Sequence, residues 1–549
     1  MDEEFSVDDP THLLDSVSDF ANEPGVPNDA AAKNFLDRFP LPLLINCLQT
    51  KANEPGLENT LVACLERIFK TKYGASLIPQ YMDFVQVGLK ANSHVVRCLA
   101  CKTVVFLLEN SYEETSYAIQ LIIDHDIYSL LLDCLINGDE TVAAASMDAI
   151  MKLAVMPKGI DIIFPADNNE ATHLGNLAAR WSSMGRVRIL SLIVKLFSVS
   201  RSVASVIYSS NLLNLLEAGI SNTNDSIEKS SILELLYELS EVQHSTEFLS
   251  RTTLLQLLCS IIGNSTMDLY LRLRAMMISG RLLSKENAHV FVDESTFKQI
   301  ACGLYLSLRG ALLKHLQLSC IETVISAIDG RLGFLESQDT AECESALEAL
   351  GDIGSSIRGA TLLLASVPPA ARHVIDAAFD RQGRGKQLAA LHALANIAGE
   401  TRSENTRILN TIAEESLRCL IYEVASRSTK LTPSGLILSI LQQAAEIRLA
   451  GYRMITGLVA RPWFLMEICS KQEIINTVTD ATTETTKIGM EARYNCCKAI
   501  DKAFTSSKLI GDPAFAAIAE KLEETVRNGP YLARKQLGAQ PLVVTADRF

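Results

Sequence analysis

Residues 224–242 read NDSIEKSSILELLYELSEV and join a polar turn to an amphipathic helix. The apolar side chains of this stretch fall at i, i+3, i+4 and i+7, which places them on one face of an α-helix. They are Ile232, Leu235, Leu236 and Leu239. Asp225 precedes the helix, where its carboxylate can accept hydrogen bonds from the free amides of the first turn. One such helix cannot bury its apolar face alone, so neighbouring helices must pack against it.

The same order of polar turn, Val or Ile, and four-turn amphipathic helix recurs along the chain. The copies lie 47, 45 and 40 residues apart and open at Val95, Val142, Val187 and Ile227. These distances match the ~40–47-residue period of HEAT and armadillo repeats. Later copies begin near Gln387, Ile447 and Met490. No segment shows a convincing strand pattern, so the sequence predicts an all-α fold, an ARM/HEAT-like right-handed α-solenoid superhelix.

The two ends of the chain differ from the repeats. Residues 1–30 are rich in Asp and Glu and contain three prolines, so we expect an acidic, partly mobile lead-in or an irregular capping helix. Gly529 and Pro530 form a helix stop, and the sequence after them lacks helical periodicity. We therefore expect a single continuous repeat domain over 31–527 and an irregular tail over 528–549.

Composition excludes several classes of partner. The chain of 549 residues has a formal net charge of −14, so it lacks the diffuse positive field that general nucleic-acid binding requires, and a basic protein partner fits better. The start Met1-Asp2-Glu3-Glu4 does not resemble a secretory signal, and the longest uncharged stretch, 252–267, is shorter than the ~20 residues of a membrane span. The 13 cysteines suit a reduced core. We expect a cytoplasmic protein with no nucleic-acid or membrane partner, and the nucleus stays open as a second location.

Motifs for catalysis and metal binding are nearly absent. Cys98 and Cys101 form one Cys-x-x-Cys pair inside an apolar helix, without the second pair of ligands that a zinc site needs. The segment Gly383–Gln387 resembles the end of a phosphate-binding loop, but Asp380 replaces the required glycine and Gln387 the hydroxyl residue. No His-Glu-x-x-His, nucleophile elbow or kinase motif set is present. We therefore expect a protein that is not an enzyme and uses no cofactor.

The candidate functional surface is the concave face that stacked helical repeats create. Glu234, Glu238 and Glu241 fall at i, i+4 and i+7 on the helix quoted above, and Tyr237 lies beside them. The two preceding long helices add three charged candidates, Asp148, Lys152 and Lys195. For each residue taken singly, an ordinary solvated helix face is the alternative interpretation.

Two binding modes of armadillo proteins do not fit this sequence. A nuclear-import adaptor presents repeated Trp-x-x-x-Asn motifs in its groove, whereas here Trp181 is followed by Gly185 and Trp463 by Glu467. A catenin-type adaptor for acidic peptides needs a basic groove, whereas the visible stripe is acidic.

Five collinear segments, spread from about residue 85 to the tail, carry a resemblance. They are 139–164, 187–200, Phe334–Asp339, Arg461-Pro462-Trp463 and Asn528-Gly529-Pro530-Tyr531. In these segments the sequence resembles the family of non-ATPase regulatory subunit 5 of the 26S proteasome. The acidic N-terminus and the sequence after Tyr531 match that family poorly.

The resemblance implies a HEAT/armadillo-like assembly chaperone for the base of the 19S regulatory particle. Such a protein binds the small C-terminal domain of an AAA ATPase subunit, helps pair it with its neighbours and leaves before the mature proteasome is complete. The same contact can hinder premature docking onto the core particle. Contacts with other base subunits are then indirect, and the free chaperone is expected to be a monomer. No family motif assigns individual contact residues.

Charge suggests how such a contact would work. We expect the acidic stripe to capture a basic helical patch of the ATPase domain, so that binding weakens as salt rises. The alternative, from another functional class, is a static helical-repeat scaffold or adaptor that holds a different multiprotein complex together.

Overall fold

Every regular element that the computed structural model describes is helical. The described residues are 10–26, 28–50, 56–110, 115–165, 173–180, 183–284, 322–332, 340–507, 509 and 512–531. The chain divides into two compact units, Met1–Phe248 and Leu249–Phe549. The single continuous repeat domain over 31–527 stays a prediction.

The first unit consists of α-helices joined mostly by short turns, and it ends at Phe248, one residue before the end of α17. In chain order its described α-helices are α1 (Pro10–Asn22), α2 (Asp29–Arg38), α3 (Leu41–Thr50), α4 (Leu57–Phe69), α5 (Lys72–Leu77), α6 (Met82–Leu89), α7 (His94–Asn110), α8 (Thr115–Asp124), α9 (Ile127–Asn137), α10 (Glu140–Val155), α11 (Gly159–Ile163), α12 (His173–Arg180), α13 (Ser183–Val199), α14 (Arg201–Ser209), α15 (Asn214–Asn222), α16 (Ser226–Glu241) and α17 (Ser245–Leu249). A 3₁₀ helix, Ile78–Tyr81, precedes α6.

The second unit is built in the same way. Its described α-helices are α18 (Leu254–Gly263), α19 (Leu269–Ser284), α20 (322–332), α21 (Thr340–Gly354), α22 (Ile357–Ala365), α23 (Ala371–Phe379), α24 (Arg384–Ala398), α25 (Glu404–Arg407), α26 (Thr411–Arg427), α27 (Pro433–Leu441), α28 (Ala445–Leu458), α29 (Pro462–Cys469), α30 (Gln472–Thr479), α31 (Lys487–Thr505) and α32 (Ala516–Asn528). A 3₁₀ helix, Pro513–Phe515, precedes α32.

In each unit the longer helices pack side by side in one row. The first row consists of α4, α7, α10, α13 and α16, and each of these helices packs against the next. The second row consists of α19, α21, α24, α28 and α31, which pack in the same consecutive manner. A shorter helix that precedes a row helix packs against it, as α9 does on α10 and α18 on α19. This stacking of helical hairpins confirms the predicted all-α, ARM/HEAT-like solenoid fold.

The helix quoted first, α16, shows how the repeat pattern becomes structure. Its four predicted core residues are all buried, and Asp225 accepts a hydrogen bond from the backbone amide of Ile227 at 2.9 Å. Ile227, which opens the repeat, is itself 76% exposed. In α16 the polar cap and the apolar stripe thus follow the predicted pattern, whereas the opening residue does not join the core; the equivalent Val142 of α10 is fully buried.

Helix α1 lies within the predicted acidic lead-in. Its side chains Leu13, Val17 and Phe20, spaced i, i+4 and i+7, are buried, and α1 packs against α4. The ring of Phe20 stacks on that of Phe35 in α2, with centroids 4.4 Å apart. These contacts make α1 part of the first unit's core. Residues 1–9, and residues 532–549 of the predicted irregular tail, lie outside the described residues.

Glycines allow the helices of the second row to approach one another closely. At three places a Cβ added to a glycine would come within about 3 Å of an alanine on the adjacent row helix. The three pairs are Gly280 with Ala349, Gly351 with Ala393, and Gly457 with Ala398. In the second row, the helix spacing is therefore set by contact between backbone atoms and alanine methyl groups.

A buried ion-pair cluster joins the first two helices of the second row. Glu342 of α21, whose side chain is 2% exposed, pairs with Arg272 of α19 through two contacts of 3.0 and 3.1 Å. Arg331 of α20 donates to the same carboxylate at 2.8 Å. Burial alone would raise the pKa of Glu342, but the hydrogen bonds and charges of the two arginines outweigh it and hold its pKa below its ordinary value.

The lowered pKa predicts a loss of stability in acid. Because the folded pKa of Glu342 lies below the unfolded one, its contribution is present above the unfolded pKa and is lost as the pH falls through the folded value. We expect the wild type to lose more free energy of unfolding between about pH 6 and about pH 3 than Glu342→Gln does. Urea unfolding followed by circular dichroism measures both losses. Glu524→Gln, which removes an exposed carboxylate on α32, should behave as the wild type. Equal losses in wild type and Glu342→Gln would contradict the prediction.

No single helix in the described ranges is both long and apolar enough to cross a membrane. Helices α14 and α15 meet the length and composition test only when taken as a pair, and that pair bends by 55°.

Candidate protein-interaction surface

The structure brings the predicted surface residues onto three consecutive helices of the first row. Asp148 lies on α10, Lys195 on α13, and the remaining stripe on α16, and these helices pack in that order. The side chains of Asp148, Lys195, Glu238 and Glu241 are exposed, whereas those of Glu234 and Tyr237 are half-buried. We define the acidic stripe as Glu234, Glu238 and Glu241. The predicted stripe thus lies on the solvent-facing side of the last row helix.

Lys152 is engaged within the chain. Its Nζ lies 2.6 Å from Oε1 of Glu109 on α7, the neighbouring row helix. Lys102 of α7 makes the equivalent contact with Glu66 of α4 at 2.9 Å. Each of these half-exposed pairs contributes little stability alone, about 0–1 kcal/mol. Together they link successive helices of the first row, so part of the charge predicted for binding serves the row itself.

Sequence reasoning missed the role of the basic start of α13. Arg188 Nη1 donates to the carbonyl oxygens of Leu135, Ile136 and Gly138 at the C-terminal end of α9, at 3.1, 3.1 and 2.7 Å. Because the last carbonyls of a helix lack partners within it, a guanidinium stabilises that end. The two arginines are visible in the sequence as Gly185-Arg186-Val187-Arg188. The sequence alone does not show which carbonyl groups on other helices they contact.

Arg186 performs a second linking role at the same place. Its Nη1 lies 2.9 Å from Oε1 of Glu228, near the start of α16, and its Nε donates to the carbonyl of Ala178 at 3.0 Å. The other carboxylate oxygen of Glu228 accepts from Thr223 at 2.8 Å. Glu228 is buried and paired, so it does not belong to the acidic stripe although it precedes that stripe on the same helix.

A second acidic stripe, also missed, lies on α21. Glu344, Glu348 and Asp352 fall at i, i+4 and i+8. Burial is the main cause that raises the pKa of Asp352, and Arg281 partly opposes it. Burial also raises the pKa of Glu348, with the neighbouring charges of Asp352 and Glu344 adding to the effect. The carboxyl groups of Glu348 and Asp352 therefore hold protons more readily than exposed ones, and burial is the main cause of the raised pKa of each.

A groove lies beside α31, and residues from the end of α28, from α29 and from α25 complete its lining. Its volume is about 510 Å³. Val459, Pro462, Leu465 and several small side chains line it, together with three cationic side chains and one carboxylate. The small residues are Thr456, Ala460, Ala499, Ala503, Ser506 and Ser507, and the charged ones are Arg407, Lys498, Lys502 and Glu404. We call this feature the α28–α31 groove.

The segment that resembles a phosphate-binding loop and the Cys-x-x-Cys pair are both parts of the helical fold. Gly383 has a φ of +89° and precedes α24, and the side chain of Gln387 donates to the carbonyl of Ala378 at 3.3 Å. Cys98 and Cys101 lie on α7, where Cys101 is buried. Within the ranges that the structure describes, no group of three or more His, Cys, Asp or Glu residues is arranged to hold a metal ion.

The segment Arg461-Pro462-Trp463 joins several helices of the second unit. Arg461 is 1% exposed and contacts both carboxylate oxygens of Glu414, at 2.7 and 2.9 Å. Its Nη1 also donates to the carbonyls of Ala398 and Gly457, at 3.1 and 2.9 Å. The ring of Trp463 packs against that of Tyr422 on α26, with centroids 5.7 Å apart. The segment therefore fixes where α29 begins.

The segment Asn528-Gly529-Pro530-Tyr531 closes the described part of the second unit. Gly529 ends α32 with a φ of +80°, a conformation that favours glycine. Arg493, which is fully buried on α31, donates to the carbonyls of Val478 at 2.7 Å and Pro530 at 3.4 Å. The other sequence marks, Phe334–Asp339 and Trp181, lie outside the described residues.

Known proteins are similar to this chain over most of its length. The model of a family described as proteasome non-ATPase 26S subunit matches residues 21–280 and 330–544. The chain is 20% identical over 514 residues to the 26S proteasome non-ATPase regulatory subunit 5 of Homo sapiens, covering 92% of each protein. The Bos taurus protein of the same name is 19% identical over 491 residues, covering 88% of this chain and 87% of that protein. Among solved structures, Kap121p has a TM-score of 0.46 and 12% identity, over 94% of this chain and 52% of that one. The chain therefore belongs to the family of proteasome non-ATPase 26S subunits, and its role is proteasome-related.

Proposed function

We propose that this protein is an assembly chaperone for the base of the 19S regulatory particle. In this proposal it binds the C-terminal domain of an AAA ATPase subunit through the solvent-facing side of the first row. It contacts other base subunits indirectly and leaves before the mature proteasome is complete. The proposal assigns it no catalytic step and treats the free protein as a cytoplasmic monomer. Family membership supports the link to the proteasome.

The observation that carries the contact is the acidic stripe on α16. Glu238 and Glu241 are exposed and Glu234 is half-buried, so their carboxylates line one side of the helix. A basic helical patch on a partner would be attracted to these carboxylates. Tyr237 beside them offers an apolar ring with a polar tip, which suits a partner helix that carries both kinds of residue.

A polar contact also suits a chaperone that must dissociate. Charged residues at the edge of a protein–protein interface chiefly determine the association rate and the choice of partner. Their attraction to the partner falls as ionic strength rises. The half-exposed pairs Lys152–Glu109 and Lys102–Glu66 lie on the same row. Because these lysines are already neutralised by glutamates of the row, they do not offset the negative charge of the stripe.

The test is capture of each purified ATPase C-terminal domain by the tagged full chain at low and high salt. We expect retention of one such domain by the wild type at low salt and weaker retention at high salt. Glu234→Lys, Glu238→Lys and Glu241→Lys combined should abolish capture while the helical circular dichroism spectrum persists. The matched control replaces Glu520, Glu523 and Glu524 of α32 with Lys, which changes the net charge equally on exposed positions elsewhere.

Other outcomes would count against the proposal. If no ATPase domain is retained at either salt concentration, the chaperone reading is wrong. If binding does not change with salt, only the electrostatic part is wrong. A static scaffold would instead co-migrate with a finished assembly, whereas an assembly chaperone should co-migrate with free or incomplete base.

A further inference from the structure

The α28–α31 groove has a charge opposite to that of the chain as a whole. The chain has a net charge of −14, yet the groove is lined by three cationic side chains and one carboxylate. Lys502 pairs with that carboxylate, Glu404, and both side chains are more than 60% exposed. An exposed pair of this kind is worth little, so a carboxylate from another molecule can replace Glu404 at small cost.

Two polar groups in the groove are available to a ligand. Within the described ranges, the ammonium group of Lys498 and the side-chain amide of Asn495 have no hydrogen-bond or ion-pair partner, and both residues are exposed. An asparagine amide offers a donor and an acceptor together, which matches the C=O and N–H groups of an extended peptide. Lys498 and Lys502 are four residues apart and therefore lie on the same side of α31.

The dimensions of the groove fit an extended segment. From Asn495 to Ala503 the lining of α31 covers about 12 Å of helix axis, at about 1.5 Å per residue. About four residues in extended conformation span the same length. Besides its charged residues, the groove is lined by small or apolar side chains, among them Ala460, Ala499, Ala503 and Leu465. The lining therefore combines cationic groups with small and apolar surface.

We infer that the α28–α31 groove binds an extended acidic segment of a partner protein, in which carboxylates alternate with small side chains. Charge complementarity with Lys498, Lys502 and Arg407 identifies the partner chemistry. No aromatic side chain lines the groove, so it lacks the stacking surface on which single-stranded nucleic acids depend. The contact is separate from the one proposed for the first row and does not depend on it.

The test is a fluorescence-anisotropy titration of the full chain with a labelled peptide of about ten residues that alternates Glu and Ala. A peptide that alternates Lys and Ala serves as the opposite-charge control. We expect the acidic peptide to bind and its affinity to fall as salt is raised. Lys498→Glu combined with Lys502→Glu should weaken its binding about tenfold or more, because two attractive contacts become repulsive.

Two further variants distinguish binding in the groove from a general effect of the protein's net charge. Lys430→Glu with Lys487→Glu makes the same change of charge at exposed positions that do not line the groove, and it should bind the peptide as the wild type does. Ala499→Phe places a bulky ring in the groove lining without changing the charge, and it should also weaken binding, provided that circular dichroism shows the variant to be folded. The inference is overturned if the wild type binds the acidic peptide no better than the basic one. It is overturned equally if the Lys498/Lys502 variant binds it unchanged, or if an oligothymidine of similar length binds more tightly than the peptide.

Discussion

The variant Arg461→Met will unfold with a free energy about 3–5 kcal/mol lower than that of the wild type. Methionine keeps an unbranched apolar stem but ends two atoms before the terminal guanidinium nitrogens and cannot donate hydrogen bonds. The change leaves Glu414, whose side chain is 18% exposed, without its cationic partner, and it leaves the carbonyls of Ala398 and Gly457 without the donor they share. Removing one member of a buried ion pair is costly because the other charge stays desolvated.

Urea unfolding followed by circular dichroism measures this loss. Arg427→Met is the matched control, because Arg427 pairs with Asp376 at 3.1 Å but is 58% exposed. It should change the free energy of unfolding by at most about 1 kcal/mol. Combining Arg461→Met with Glu414→Gln should recover part of the loss, since the buried charge is then removed as well. A loss for Arg461→Met no larger than that of the control would show that the cluster is not a stabilising element.

Gly351→Val will destabilise the second unit by about 3 kcal/mol, at the upper end of the usual cost of overpacking. A Cβ at this position would lie 2.6 Å from Cα and 2.7 Å from Cβ of Ala393 on α24. The nearest atom belongs to the backbone, so no side-chain rotation relieves the overlap and the two row helices must move apart. The gain in helix propensity over glycine is smaller than this cost.

Thermal unfolding of Gly351→Val and of two companions checks this prediction. Gly263→Val, at the end of α18, has nothing within 4 Å of the new Cβ and should change stability by no more than about 1 kcal/mol. Adding Ala393→Gly to Gly351→Val should restore stability only in part, because the Cα of residue 393 remains in place. Equal melting temperatures for Gly351→Val and Gly263→Val would contradict the close approach of α21 and α24.

Most of the fold could be predicted from the sequence, because helical period and repeat spacing are local patterns. The stripe Ile232, Leu235, Leu236 and Leu239 is buried as its spacing indicates, and the caps at Asp139 and Asp225 accept the expected amides. The contacts between helices could not be predicted in the same way. That Arg461 meets Glu414, 47 residues earlier, or that Gly351 meets Ala393, depends on how successive hairpins are rotated against one another.

The candidate surface was predicted in part for the same reason. Helical spacing placed Glu238 and Glu241 on an exposed side of α16, and the structure places them there. It could not show that Lys152 is paired with Glu109, because that contact joins residues on different helices. The α28–α31 groove was missed altogether, since its cations come from α25 and α31, nearly 100 residues apart. Whether any of these residues contacts a partner stays a prediction.

The two rows differ in how firmly their helices are spaced, and this has a mechanical consequence. In the second row, Gly351 of α21 lies directly against Ala393 of α24. Because no longer side chain lies between the two helices there, moving them closer together meets immediate steric resistance. In the first row, the junctions from α4 to α7 and from α7 to α10 carry pairs of long side chains at the surface. Such side chains can change rotamer while they keep their pairing. We therefore expect the α21–α24 junction to resist a change of helix spacing more than the junctions from α4 to α7 and from α7 to α10.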